Sequence, residues 1–222
     1  MRKKVFLFLA ISILLQTAFC QSFDNLSVIR GVKYVPEISE LINKQLETEG
    51  FDVFDVIKTK IDSKKNELYL IQYTSGPSDD PGYFISLIKE NGDLQEVASF
   101  SGEELIIPGN GFVYKSGRMN ELYTKRFKYK LEGDKLIEVP QGAYYVGLKT
   151  KTRATIVLYS QKNKSVKSAV LPASYDVEIL IEDDGWILLK TAYGLTGWLN
   201  LKDILTYPVE ESTLEDFYFM GD

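Results

Sequence analysis

Thr155–Leu205 reads TIVLYSQKNKSVKSAVLPASYDVEILIEDDGWILLKTAYGLTGWLNLKDIL. Short apolar runs at Ile156-Val157-Leu158, Val177-Ile179-Ile181 and Ile187-Leu189 are cut by Pro172, Asp183-Asp184-Gly185 and Tyr193-Gly194. Runs of three to six residues between Gly, Pro and Asp punctuation predict about five short antiparallel strands. Asp184-Gly185-Trp186 opens one of them, and Gly194-Leu-Thr-Gly-Trp-Leu199 opens the last. The spacing predicts a small closed barrel over residues 154–206.

Upstream, Gln21–Val35 reads as an extended lead-in. In Pro36–Gly50, Ile38, Leu41, Ile42 and Leu46 recur at helical spacing, Pro36 suits a first turn and Gly50 a stop. An amphipathic helix over 36–49 lying on a sheet is therefore predicted. From Phe51 to Gly147 the period changes to two. Phe51–Ile57 pairs with Glu67–Tyr73, Tyr83–Glu90 meets Asp93–Phe100 across Asn91-Gly92, and Tyr123–Leu131 turns at Glu132-Gly133-Asp134 into Leu136–Val139. Two hairpins about 42 residues apart share similar turns, but a propeller needs at least about four such units. The predicted class is mainly β (α+β). An N-terminal helix plus antiparallel meander (21–148) is followed by the barrel (154–206) and an acidic, aromatic tail (207–222). Phe217, Tyr218 and Phe219 make that tail too apolar to stay solvated, so it is expected to dock.

The first twenty residues, MRKKVFLFLAISILLQTAFC, join a basic start to an apolar core at Val5–Leu15 that is shorter than a bilayer span. They read as a signal peptide with Ala18 and Cys20 before the cleavage point. Lipid attachment at Cys20 is the rival reading, set back by the bulky Phe19. Removing the leader's three basic residues from 26 leaves 23 against 31 acidic residues, a net charge of −8. The mature chain then holds neither cysteine nor histidine. That excludes Ser-His-Asp triads, Cys-His peptidase sites and His-ligated zinc, and the acidity argues against nucleic acid. The expectation is an exported, periplasmic or extracellular, non-catalytic protein without a cofactor or a stable membrane span.

The binding candidates are aromatic. By strand alternation Trp186 lies with Leu188 and Lys190, opposite Ile187 and Leu189, so it is expected to be half exposed. Trp198, after Gly197, is expected inside the barrel. Leu158-Tyr159, Gly185-Trp186 and Gly197-Trp198-Leu199 together resemble the bacterial SH3-like domain. The resemblance covers about a quarter of the chain, and it implies a binding module with Tyr159, Trp186 and Tyr193 as ligand-binding residues. Asp203 departs from the pattern where a eukaryotic SH3 groove carries a second tyrosine, and Tyr159-Ser160-Gln161-Lys162 replaces the Arg-Ser-Gly-Pro of many bacterial modules. A polyproline groove is thus incomplete. The implied ligand is a cell-envelope peptide or glycan such as peptidoglycan.

Two alternatives stay open. One is a structural or assembly protein whose SH3-like part packs on its own chain or a protein partner. The other is a carboxylate-dependent glycan hydrolase. Its obvious candidates, Asp79-Asp80, Glu103-Glu104, Asp183-Asp184 and Glu210-Glu211, are adjacent pairs, and adjacent strand residues point to opposite faces. Lys125, Arg126, Lys128 and Lys130 form a cationic strand suited to an acidic polymer, to membrane headgroups, or to guarding a sheet edge.

Overall fold

The computed structural model describes residues 23, 25–48, 50, 52–76, 80–118, 121–205 and 212–218. The leader with Cys20, most of the acidic tail and Phe219 lie outside them, as do Asp79, Glu210 and Glu211. The described chain forms three sheets.

The first takes β1 (Ser27–Ile29), β2 (Val32–Tyr34), β8 (Glu104–Ile107), β9 (Phe112–Gly117), β10 (Lys125–Glu132) and β11 (Lys135–Glu138), in that spatial order. The second is a meander of β3 (Ser39–Leu46), β4 (Val53–Thr59), β5 (Leu68–Thr74), β6 (Gly82–Ile88) and β7 (Leu94–Ser101). Their inward faces share one core, in which Val32, Ile107 and Val113 meet Ile71, Tyr83 and Ile85. Tyr83 fixes the two sheets' approach, because its buried hydroxyl donates to the Glu103 carbonyl at 3.0 Å. Gly31 beside it has φ +74°, and a Cβ there would collide with the Tyr83 hydroxyl and that same carbonyl.

The predicted helix is not formed. Pro36–Ile38 make one 3₁₀ turn, and Ser39–Leu46 run on as β3, the edge strand paired with β4. A bulge between Leu41 and Lys44, where Asn43 takes φ +45°, breaks the strict alternation of this strand. Residues four apart share a face in any strand, so Ile42 and Leu46 both end half buried, and the extra residue shifts the parity before them, so that Ser39, three before Ile42, is half buried too. Leu41 is 57% exposed, which shows that there is no wide apolar helical face to bury.

The third sheet runs β12 (Tyr144–Lys151), β15 (Asp176–Asp183), β16 (Trp186–Thr191), β17 (Thr196–Asn200), β13 (Ile156–Tyr159) and β14 (Lys167–Leu171). It corrects the predicted closed barrel: the sheet stays open with β12 and β14 as its edges, and no pairing joins them among the described residues. Residues outside 154–206 complete it. β12 pairs with β15 along its length, and residues 213–215 run along β12's other edge, with Arg153 N–H donating to Thr213 O at 2.8 Å and Glu215 N–H to Lys151 O at 3.0 Å. Leu122 and Tyr123, from the β9–β10 connection, join Leu214 and Phe217 in this sheet's buried core. Phe217 is fully buried, stacked 6.3 Å from Tyr123 at an interplanar angle of 9°.

Candidate functional site

Register places the aromatic candidates. Tyr159 on β13 lies opposite Trp198 on β17, and Trp198 lies opposite Leu188 on β16. Directly opposed residues sit with their Cβ atoms about 4.5–5.5 Å apart, so the three make a row across the sheet. Trp186 stands one outward position along β16 from Leu188, facing Asn200 and Asp183. All four side chains are half buried on the outward face, while Ile187, Leu189 and Leu199 fill the core.

This overturns the expected place of Trp198. The inward positions of β17 are Gly197 and Leu199, because β13 passes so close to Gly197 that a Cβ would strike Leu158 and Ser168. A glycine chosen for that close approach turns the next side chain outward. Trp198 therefore belongs to the candidate surface that sequence reasoning built from Tyr159 and Trp186, and it lies between them. Tyr193 does not join them. It is 85% exposed in the β16–β17 turn, at the far end of β16 from Trp186 and roughly 17 Å along that strand.

The β13–β14 loop borders the platform. Lys162 Nζ stands 4.8 Å from the Trp198 ring centroid and is ion-paired with Asp183 at the β15–β16 turn. Lys164 pairs with Asp203 at 2.6 Å. Asp203 thus gives this loop a charged staple. Such a surface can stack a planar or sugar-like group on the indoles and offer a donor at Lys162, an acceptor at Asp183 and an amide at Asn200, with little rotamer entropy lost by the rings.

The two adjacent acidic pairs that lie wholly among the described residues, Glu103-Glu104 and Asp183-Asp184, do not form facing carboxylates. Asp183 is paired with Lys162, Glu104 with Lys33 at 2.5 Å, and Asp184 sits in a turn at φ +49°. The carboxylates that do converge were not legible in the sequence. Lys125 Nζ lies 3.3 Å from Glu182 and 3.8 Å from Glu121, and 4.1 Å from the Tyr144 ring centroid. Tyr123 Oη donates to the same Glu182 oxygen at 2.8 Å. Burial pushes the Glu121 carboxyl above its ordinary range despite Lys125, and pushes the Lys115 ammonium below its own. Burial first, then the bond to Glu182, holds the Tyr123 hydroxyl protonated to well above the usual phenol range. With both donors on Glu182, this cluster clasps the first sheet to the third. Glu121 and Lys125 are four apart, but the links to Glu182 span nearly sixty residues, so no local pattern announces the clasp.

No family model, curated protein or solved structure matches this chain. Among the described residues no group of acidic side chains is arranged to hold a metal ion, and no helix is long and apolar enough to cross a membrane.

Proposed function

We propose that this chain is an exported, non-catalytic binding protein whose third sheet recognises a cell-envelope peptide or glycan, with peptidoglycan the first ligand to test. The observation carrying this reading is the outward Tyr159–Trp198–Leu188 row with Trp186 beside it. A soluble sheet face more commonly carries polar residues there, and half-exposed indoles grouped on one face are the usual anchors of binding surfaces. The resemblance of 154–206 to bacterial SH3-like modules supports it. Tyr159 and Trp186 retain the roles that resemblance implies, Trp198 joins them, and Tyr193 drops out on distance.

The test is co-sedimentation of the purified mature chain, residues 21–222, with insoluble peptidoglycan sacculi. Trp186→Ala is expected to weaken binding at least tenfold while leaving the melting temperature nearly unchanged, since Trp186 stands on the outward face, opposite Asp183 and Asn200. Unchanged binding by Trp186→Ala and Trp198→Ala alike would reject the platform.

A second reading has its own observation. Leu122 and Tyr123, from outside the third sheet, are built into its core. A protein whose SH3-like part serves assembly within its own chain would show such packing. On that reading sacculi would not pull down the wild-type chain at all.

A further inference from the structure

The cationic strand singled out in the sequence is divided by its own pleat. Lys125 points into the clasp with Glu182, while Arg126, Lys128 and Lys130 share the outward face of the first sheet. β10 is paired on both sides, by β9 and β11, so edge protection is not the role of these charges. Register adds Lys33 and Lys135 to that face. Its acidic strand residues, Glu104 and Glu132, are each engaged, with Lys33 at 2.5 Å and Lys130 at 2.9 Å. Arg126, Lys128 and Lys135 make no direct ion pair among the described residues, and only Lys135 has a carboxylate beside it, that of Asp134 in the turn. An excess of three positive charges is therefore collected on one face of a chain whose net charge is −5.

The same face is not simply hydrophilic. Lys128 Nζ lies 3.9 Å from the Phe112 ring centroid and 5.9 Å from that of Tyr114, and Phe23 packs edge-on against Tyr114 at 5.4 Å. Val28, opposite Lys33, is 61% exposed, and Ile137, opposite Lys130, is 47% exposed. Aromatic rings, exposed aliphatic tips and Lys or Arg side chains in one plane are what the headgroup boundary of a bilayer takes up.

Chain position decides among anionic partners. Phe23, which packs on this face, is the third residue of the mature chain that starts at Gln21. On the exported reading, which this inference rests on, the leader delivers the mature N-terminus at a membrane, and the first sheet's outward face is the part of the fold joined to it. We propose that this face is a peripheral docking surface for an anionic lipid bilayer. The overall negative charge opposes approach in any other orientation, and screening beyond about 8–10 Å makes face-on contact necessary. Each cation held near anionic lipid is worth about fivefold in binding, so the excess of three supports reversible attachment, not permanent anchoring.

The experiment is sedimentation of the mature chain with vesicles of phosphatidylglycerol and phosphatidylcholine, and with vesicles of phosphatidylcholine alone, at low and physiological salt. Binding to the anionic vesicles is expected to be at least tenfold tighter and to weaken with salt. Arg126→Glu with Lys135→Glu, neither of which stacks on a ring, should lose at least tenfold with an unchanged thermal melt. Lys149→Glu with Lys167→Glu, on the third sheet, should bind as wild type. Failure to bind anionic vesicles, equal binding by the Arg126/Lys135 double variant, or binding to soluble dextran sulfate without binding to vesicles would each overturn the proposal. Trp186→Ala should leave vesicle binding intact, so loss of sacculus binding and loss of vesicle binding are read separately.

Discussion

Removing the Phe217 ring is expected to loosen the third sheet from a position outside every one of its six strands. The side chain is fully buried and stacked on Tyr123. A buried phenylalanine removes about 150–250 Å² from water. At about 25 cal/mol per Å² that is roughly 4–6 kcal/mol, an upper bound because the unfolded chain already buries part of it. Large-to-small changes of this kind cost about 3–5 kcal/mol, so Phe217→Ala should cost about 4 kcal/mol. That is a large share of the 5–15 kcal/mol typical of a whole domain. In urea, with a slope of about 1–3 kcal/mol per molar, the midpoint should fall by at least about 1.3 M.

The assay has a built-in internal control. Both tryptophans, Trp186 and Trp198, sit in the third sheet, so indole fluorescence reports on that sheet alone, while far-ultraviolet circular dichroism reports on all three. Phe217→Ala should move the fluorescence transition at least as far as the dichroism transition. Tyr123→Ala should move it too, although Tyr123 lies between β9 and β10, two strands of the first sheet. In a double-mutant cycle the two changes should cost less together than the sum of each alone, because they empty one shared site. The fragment 154–206 keeps nine of the fourteen buried apolar residues of this core among the described residues, lacking Leu122, Tyr123, Val146, Leu214 and Phe217, and should show no cooperative transition by itself. A loss under about 1 kcal/mol for Phe217→Ala, or a fragment that melts cooperatively, would refute the packing argument.

Two further expectations are independent of that one. Leu199→Ala should cost about 2–5 kcal/mol, whereas Trp198→Ala, on the outward face, should cost about 1–2 kcal/mol; chemical denaturation of the two variants gives the order, and a reversed order would put the indole in the core. Glu121 has a raised carboxyl pKa, so its contribution is most favourable below the ordinary glutamate pKa and is lost as pH rises through the folded value. Glu121→Gln should accordingly raise the denaturation midpoint at pH 7–8 and lose that advantage near pH 4; a constant difference across this range would mean that the carboxyl titrates as it does in the unfolded chain.

What the sequence announced, and what it hid, divides by distance along the chain. The Asn91-Gly92 and Gly133-Asp134 turns, with period-two runs on either side, are local signals, and β6–β7 and β10–β11 pair across them. Trp186 was legible because Lys190 on the same face demands water. The helix over 36–49 failed for an equally local reason, since residues four apart share a face in a strand as in a helix, and one bulged residue supplies the i, i+3 step. Trp198 failed because a Gly-Trp step says that one side chain must be absent, without saying which side of the sheet is crowded. Only the course of β13, nearly forty residues earlier, settles that.

The nonlocal features had no sequence signature at all. β2 pairs in parallel with β8 across some seventy residues of meander, and Tyr123 finds Phe217 across 94 residues. A run such as Lys125-Arg126-Phe127-Lys128-Tyr129-Lys130 looks like one basic motif in one dimension. The pleat makes it two. Its odd positions face inward, where Lys125 must be neutralised by Glu182 and Tyr129 packs on Phe100 at 4.6 Å. Its even positions face outward, where Arg126 and Lys128 stay free to meet an external anion. Burying one ammonium and exposing its neighbours are opposite solutions to the same electrostatic cost. The choice between them was fixed when β9 and β11 set the strand's two faces, so charge content alone could not separate the clasp from the candidate docking surface.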